Sequence, residues 1–555
     1  MRILFSFVFL SVSVLCFAQF TADPNDALYD HITVWEEKGY VKNLPLVRPY
    51  PHNVIKKILS SVIESGSGID RKTAQAFYDQ LFFTAETPRP DRIAPSPFTF
   101  TLDNSLWATG ESYLYGIRPV VSFQDMVTEW FSYSGMAVMG FDLEGGDPAP
   151  YYIRVKDDGK SGGGEFTFGE ALIIGNNNGV GLLSFGNPDL YFQAGITRSV
   201  FGPFWDNSGI IGAHSPSAGL FSFTWQTEWA SFSSVLLILH PKYMEDPAVA
   251  GGGPIPIPGG VDGLKPTQKY LAMHSYTFYP FDWCTFTLIQ TTVFGKRFEP
   301  AYLIPLQHMP YTQVMLGDVD SSFLGIITQF DLPFNMGLDL MLYLDDFNMK
   351  KFFGEDGMIF DVNSGQNKVA IQAGLSWTPE MDILQRLTVS YFMVTPYMYT
   401  HNGAESSPIP YNSYTHEGFG IGTMLSPNSD RIALNALIQP WSFCDIKLFA
   451  TFTRHGNASE GIPDLEATNS DGSYWDDGRD EIGEVWFYGS SRFLTQDIIE
   501  KILQIGVSAD FRLGLGFGTL KLGGGYIFEY GWDRDLVPGD DGARHIVNIH
   551  AGIEL

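Results

Sequence analysis

From Phe98 to the end of the chain, apolar residues recur at every second position in run after run. Phe98, Phe100 and Leu102 alternate with Thr99, Thr101 and Asp103. Leu338, Leu340, Leu342 and Leu344 alternate with Asp339, Met341, Tyr343 and Asp345. Val369 to Trp377 and Cys444 to Phe452 repeat the pattern, and the last run puts Val547, Ile549, Ala551, Ile553 and Leu555 on one side. A period of two marks a strand, because successive side chains point to opposite faces. The stretch Leu190–Trp225 shows the repeating unit whole. A strand with Leu190, Phe192, Ala194 and Ile196 on its apolar face leads to a Gly202-Pro203 corner, the aromatic pair Phe204-Trp205, the turn formers Asp206 to Gly209, and a returning strand.

The runs are about ten residues long, the length a tilted strand needs to cross a bilayer. A soluble sandwich would show the same alternation. Three further features favour a membrane barrel. The chain opens with a secretory signal, the strands outnumber those of one sandwich, and the alternation continues to the final residue. Closure of the last strand on the first then leaves no unpaired edge. The expected fold is all-β, a transmembrane antiparallel β-barrel of about 18 strands, preceded by a small three-helix segment.

Only Asp26–Thr84 carries helical spacing, within an expected periplasmic segment of residues 19–97. Asp26 is placed to cap a helix bearing Leu28, Ile32 and Trp35, and Gly39 to end it. Pro45 and Pro49 keep Tyr40–Tyr50 extended. Val54, Ile55, Ile58, Leu59 and Val62 share a face of a second helix, and Asp70 is the expected cap of a third with Ala74, Phe77 and Leu81. Thr87–Pro97 is a proline-rich linker, and residues 98–555 form the barrel. Residues 1–18 read as a cleaved signal peptide: Arg2, an apolar run from Ile3 to Leu15, and Cys16-Phe17-Ala18 as the cleavage site. Leu15 stands where a lipidation signal requires a small residue. The expected location is the outer membrane of a diderm bacterium.

Composition agrees with strands joined by turns and ringed by aromatics: 58 glycines, 15% aromatic and only 17% charged residues. The formal charge of −28, one unit more negative once Arg2 is cleaved away, argues against nucleic acid as a partner. Cys284 and Cys444 lie inside strand patterns and read as buried or lipid-facing thiols.

Leu332–Asn335 and Gln439–Ser442 suit tight periplasmic turns, whereas Ala248–Lys265, His401–Tyr411 and Ala458–Ser491 suit surface loops. Gly251–Gly260 lacks the Lys-Ser/Thr ending of a phosphate loop. No metalloprotease, nucleophile-elbow or dinucleotide motif occurs, so no catalytic residue and no enzyme activity is expected. Asp206, His214 and Ser215 read as loop hydrogen-bonding groups rather than a triad. Tyr474, Trp475, Trp486 and Tyr488 lie beside Asp471, Asp476, Asp477 and Asp480. Aromatic faces next to carboxylates suit the C–H face and hydroxyls of a sugar; an aromatic belt at the membrane edge is the competing reading. The four aspartates read as a solvated acidic loop or as the chain's one candidate Ca²⁺ site; a hand-like loop starting at Asn469 would need glycine where Tyr474 stands. No other cofactor is expected.

These residues resemble the capsule assembly Wzi family of outer-membrane proteins. Leu28–Tyr50 looks like the family's helical start and proline-containing segment. Gly195–Ser217, with Gly202, Pro203, Phe204 and Trp205, is similar to its Gly-Arg, aromatic-Gly-Pro-Gly, Ser motif. Pro300–Asp320, Leu342–Asp346 and the run Thr453, Arg454, His455, Gly456, Asn457 follow in family order. Phe201 stands where the family often has Trp, Phe204 where it often has Gly, and the chain ends in Leu555 rather than an aromatic residue. The resemblance implies an 18-stranded barrel with a periplasmic helical bundle. It also implies a monomeric, lectin-like protein that holds capsular or exopolysaccharide on the cell surface without turnover. A porin or substrate channel and a surface adhesin are the alternatives that the same residues allow.

Overall fold

The computed structural model describes residues 21–66, 68–82, 98–110, 112–146, 165–168, 171–204, 208–240, 245–246, 253–254, 268–345, 367–381, 383–400, 412–416, 419–457, 493–515 and 518–555. The signal peptide and the Thr87–Pro97 linker lie outside them. Three helices come first: α1 (Ala27–Glu37), α2 (His52–Ser65) and α3 (Gly68–Leu81). The barrel then runs β1 (Phe98–Ala108), β2 (Ser112–Thr128), β3 (Phe131–Gly146), β4 (Ala171–Asn187), β5 (Leu190–Thr197) and β6 (Ala218–Gln226). It continues with β7 (Ala230–Leu239), β8 (Lys269–Phe281), β9 (Cys284–Gly295), β10 (Ser321–Leu332), β11 (Met336–Leu344) and β12 (Val369–Trp377). The last six are β13 (Leu384–Val394), β14 (Ser429–Trp441), β15 (Cys444–Gly456), β16 (Ile499–Leu515), β17 (Gly518–Trp532) and β18 (Gly542–Glu554).

All 18 strands are antiparallel to their neighbours, and β1 closes on β18 from Asp103↔Gly552 to Ala108↔Val547. Closure satisfies every ladder, which is why a sheet can stand in lipid at all. The alternation sorts as the pattern demands. Leu340 and Leu375 are exposed on the outside, while Tyr343, Ala370 and Gln372 are buried inside. Thr99, Thr101 and Asp103 likewise face inward opposite exposed Phe98 and Phe100.

The tight turns, including Leu332–Asn335 and Gln439–Ser442, gather at one end. They carry exposed Trp130, Trp229, Trp283 and Trp441. Phe281 stacks on Trp283 at 5.1 Å and Trp441 on Phe443 at 5.7 Å. A girdle of aromatic rings at strand ends marks a membrane–water boundary. The strands on either side of Ala248–Lys265, His401–Tyr411 and Ala458–Ser491 end at the opposite, surface end of the expected orientation; of these stretches only Gly253–Pro254 is described. No described helix is long and apolar enough to cross a membrane. Cys284 and Cys444 are free thiols.

The helices form from the expected faces. The Asp26 carboxylate accepts from Leu28 N at 2.9 Å, and Leu28, Ile32, Trp35, Ile55, Leu59 and Val62 are fully buried. Asp70 does not cap α3, which starts at Gly68. It is buried in the first turn, where it accepts from Trp35 Nε1 (3.2 Å) and Lys38 Nζ (2.9 Å). Tertiary partners took this carboxylate from the local role its position suggested.

Candidate functional site in a half-filled lumen

The helices sit across the mouth at the tight-turn end, periplasmic in the expected orientation, tied to the wall by polar contacts around its rim. Arg386 on β13 grips Glu37 with three hydrogen bonds of 2.5 to 3.0 Å, its own side chain only 2% exposed. Lys38 donates to Gln385 (2.7 Å) as well as to Asp70. Asp445 on β15 meets His31 at 3.3 Å and Arg512 at 2.7 Å, and Lys447 meets Asp30 at 2.5 Å. Asn53 donates to the carbonyls of Glu129 and Gly186 at two neighbouring tight turns. Burial holds His52 down to about 4 and pushes Glu36 up to about 7, so both favour their neutral forms.

From the other side, residues 198–217 turn into the lumen instead of out to the surface. Phe201 pairs with Val47 and bridges to Ile211. Gly202 donates to Leu46 O at 3.1 Å with φ of +111°, a conformation that favours glycine. The Phe204 ring is buried against β12, where a Cβ at Gly374 would lie 3.7 Å away. Residues 397–400, 412–416 and 419–423 lock this loop down. Tyr399 OH donates to Gly209 O (2.6 Å), Tyr414 OH to Ile210 O (2.9 Å), and Gly212 N to Ile421 O (2.7 Å). The backbones meet so closely that a Cβ at Gly422 would fall 2.4 Å from Gly209 O. Tyr343, hydrogen-bonded to Thr291 and Tyr414 and stacked on Phe323 at 5.4 Å, ties the knot to the wall.

The motif residues Gly202, Pro203 and Phe204 are therefore lumen packing, not a surface platform; Trp205 lies outside the described residues. His214 contacts Gly420 O at 3.0 Å and burial lowers its pKa to about 4. Arg198 donates to Ser215 O. Both residues act as loop hydrogen-bonding groups, and Asp206 is not described.

The filling is one-sided. Along the middle of β16 to β18 a patch of inward positions is small or polar and only half-buried: Ser508, Asp510, Gly523, Gly525, Asn548 and His550. A polar cavity of about 300 Å³ opens there between Asn25–Ala27 and the wall residues Lys447, Asp510, Arg512, Lys521 and His550. Charges of both signs line it, with His550 2.8 Å from Asp510 and Lys521 3.5 Å from Glu554. At the surface end of β15, Arg454 pairs with Asp430 (2.9 and 2.5 Å), to which Tyr391 OH also donates. His455 lies 3.8 Å from Glu500, and Gly456 is joined to Asn428 through backbone and side chain. Such mixed carboxylate, amide and guanidinium groups suit hydroxyl-rich ligands.

Tyr474, Trp475, Trp486, Tyr488, Asp471, Asp476, Asp477 and Asp480 all lie outside the described residues. Among the described residues no cluster of three or more His, Cys, Asp or Glu could hold a metal ion. The plug contacts went unread in the sequence; their one signal was charge on the polar face of a strand, as at Arg386, Asp445 and Arg512.

No family model matches the chain, and no curated protein does. Among solved structures, Wzi of Escherichia coli, described as an outer-membrane protein involved in group 1 capsule assembly and a carbohydrate-binding β-barrel, aligns with TM-score 0.56. The identity is 10%, over 95% of this chain and 98% of that one. OprD of Pseudomonas aeruginosa aligns with TM-score 0.41 and 9% identity, over 86% of this chain and 99% of that one. The fold implied by the family resemblance is the fold observed: this chain is a closed, 18-stranded antiparallel β-barrel that shares its fold with Wzi.

Proposed function

We propose that the protein is a non-enzymatic, lectin-like anchor that attaches or organises capsular or exopolysaccharide at the cell surface, reached through a cleaved signal peptide. One observation carries this reading. The chain fills much of its own lumen with buried helices and an inward loop, as suits a rigid pedestal for surface loops more than a transport path. The carbohydrate binding described for Wzi supports the same reading. Trp475 and Trp486, with Tyr474 and Tyr488, are the proposed stacking surface. Asp471, Asp476, Asp477 and Asp480 are the proposed divalent-cation bridge to an acidic polymer, which the protein's negative charge would otherwise repel. Polysaccharide retention on cells carrying a deletion, Trp475→Ala or Asp476→Ala/Asp477→Ala tests this. A deletion strain with its full coat sinks the anchor function; point variants alone keeping the coat sink only the choice of loop.

A channel is the second reading, favoured by the half-exposed polar patch of β16 to β18. Planar bilayers separate the two. The anchor predicts little steady conductance, and large regular single-channel steps would establish the channel.

A further inference from the structure

Between β9 and β10 the described chain covers part of the outer wall. There residues 296–320 leave the surface end and fold back down over the outside of the barrel. Tyr302 and Met309 pack on outward-facing Leu236, Ala272 and Phe294. The outward Gln290 side chain donates to Gln307 O (2.6 Å) and accepts from Met309 N (3.0 Å), while Tyr276 OH accepts from Leu306 N (3.1 Å). Arg297 and Tyr302 both bond Asp320, joining the two ends of this strap at its base.

The strap is apolar on its far side too. In its short helix α4 (Met309–Met315), Met309 and Thr312 face the wall, while Tyr311, Val314 and Met315 are 63% to 70% exposed; Leu306 at the tip is 85% exposed. In water this would be a costly patch; on the lipid-facing side of a barrel it continues the bilayer surface. Near the tip, Leu306 N, Gln307 O and Met309 N are satisfied by the wall, and Gln307, His308 and Thr312 bond one another within the strap, as a hydrocarbon environment demands. Beneath the tip lies a groove of about 520 Å³, lined by Phe278, Leu288, Leu306, Leu324, Ile326 and Leu342.

We propose that residues 296–320 form a strap embedded in the outer leaflet, and that the groove beneath it holds an acyl chain of a membrane lipid. The lining is predominantly apolar, and the groove is continuous with the lipid-facing wall through exposed Leu288, Leu324 and Ile326. This site is independent of what the surface loops bind.

The probe is a palmitoyl-oleoyl phosphatidylethanolamine added to the full-length protein, with retained lipid counted by native mass spectrometry. Wild type should keep one copy. Leu324→Trp, which fills the groove, should lower retention about tenfold, the loss expected when roughly two methylene groups are no longer buried. Val507→Trp, on the exposed outer face of β16, should not change it. Equal retention in all three proteins overturns the groove. So does a finding that Leu324→Trp changes the oligomeric state while lipid retention stays constant, which would assign the groove to a second copy of the chain. A nitroxide at Leu306→Cys, with Cys284 and Cys444 replaced by Ser, reports on the strap without filling the groove. In liposomes it should collide more with oxygen than with a water-soluble nickel chelate, and the reverse overturns the embedded strap.

Discussion

The two halves of the lumen are built from the same alternating strands and end differently. Across β8 to β13 the inward positions hold Met273, Phe323, Met341, Tyr343 and Phe392, and these meet the inward-turned loop residues Phe201, Phe204, Ile210, Tyr399 and Tyr414 in a continuous apolar core. Along the middle of β16 to β18 they hold Ser508, Gly523, Gly525 and Asn548, and the wall stays half-exposed to a polar cavity. Both halves satisfy the membrane equally, because lipid sees only the outer face. The inner face answers to what the chain brings back to it. Large inward side chains make a barrel solid; small polar ones leave it wet. Stability should therefore concentrate on the packed side and tolerance on the other.

The sharpest way to break this comparison is Arg386→Ala, which leaves the largely covered Glu37 carboxylate without its guanidinium partner. We expect a loss of about 3–5 kcal/mol. It should appear as a lower midpoint in urea unfolding from liposomes, together with conductance as the plug loosens. An unchanged midpoint would show that the plug is not held by this pair.

Gly422→Ala should follow, at about 1–3 kcal/mol, because a Cβ has no room beside Gly209 O. The temperature of the heat-induced gel shift measures it.

Two pH effects of opposite sign come next. His214 is held neutral by burial, its pKa lowered from 6.5 to about 4. Its folded pKa is depressed, so its contribution is whole above pH 6.5 and falls away as pH drops toward 4. Glu36 is pushed from 4.5 up to about 7. Folding then favours its protonated form, and stability declines as pH rises from 4.5 through 7. His214→Asn should flatten the acid limb of a stability–pH curve. Glu36→Gln, which keeps an acceptor for Leu44 N, should stabilise at pH 8 relative to wild type and change little at pH 4.

The smallest expected effect is on the open side. Ser508→Ala should stay within about 0.5 kcal/mol of wild type. A larger loss by the same urea assay would mean that the polar sector is packed after all.

The alternation from Phe98 to Leu555 determined the barrel, its membrane-facing side and roughly its strand number, because pleating and lipid act on each strand locally. Helical spacing in residues 26–81 likewise placed three helices with their buried faces. Tertiary structure alone decided where that bundle sits, since Glu37 and Arg386 are 349 residues apart and no local rule pairs them. It turned Asp70 from an expected cap into a buried acceptor, and it folded the Gly202-Pro203 corner with Phe204 into the lumen. It also laid residues 296–320 on the outside, through Gln290 and Tyr276. Each of these depends on which inward or outward side chains a closed sheet brings face to face. Period two reports the side of the sheet and says nothing about the partner.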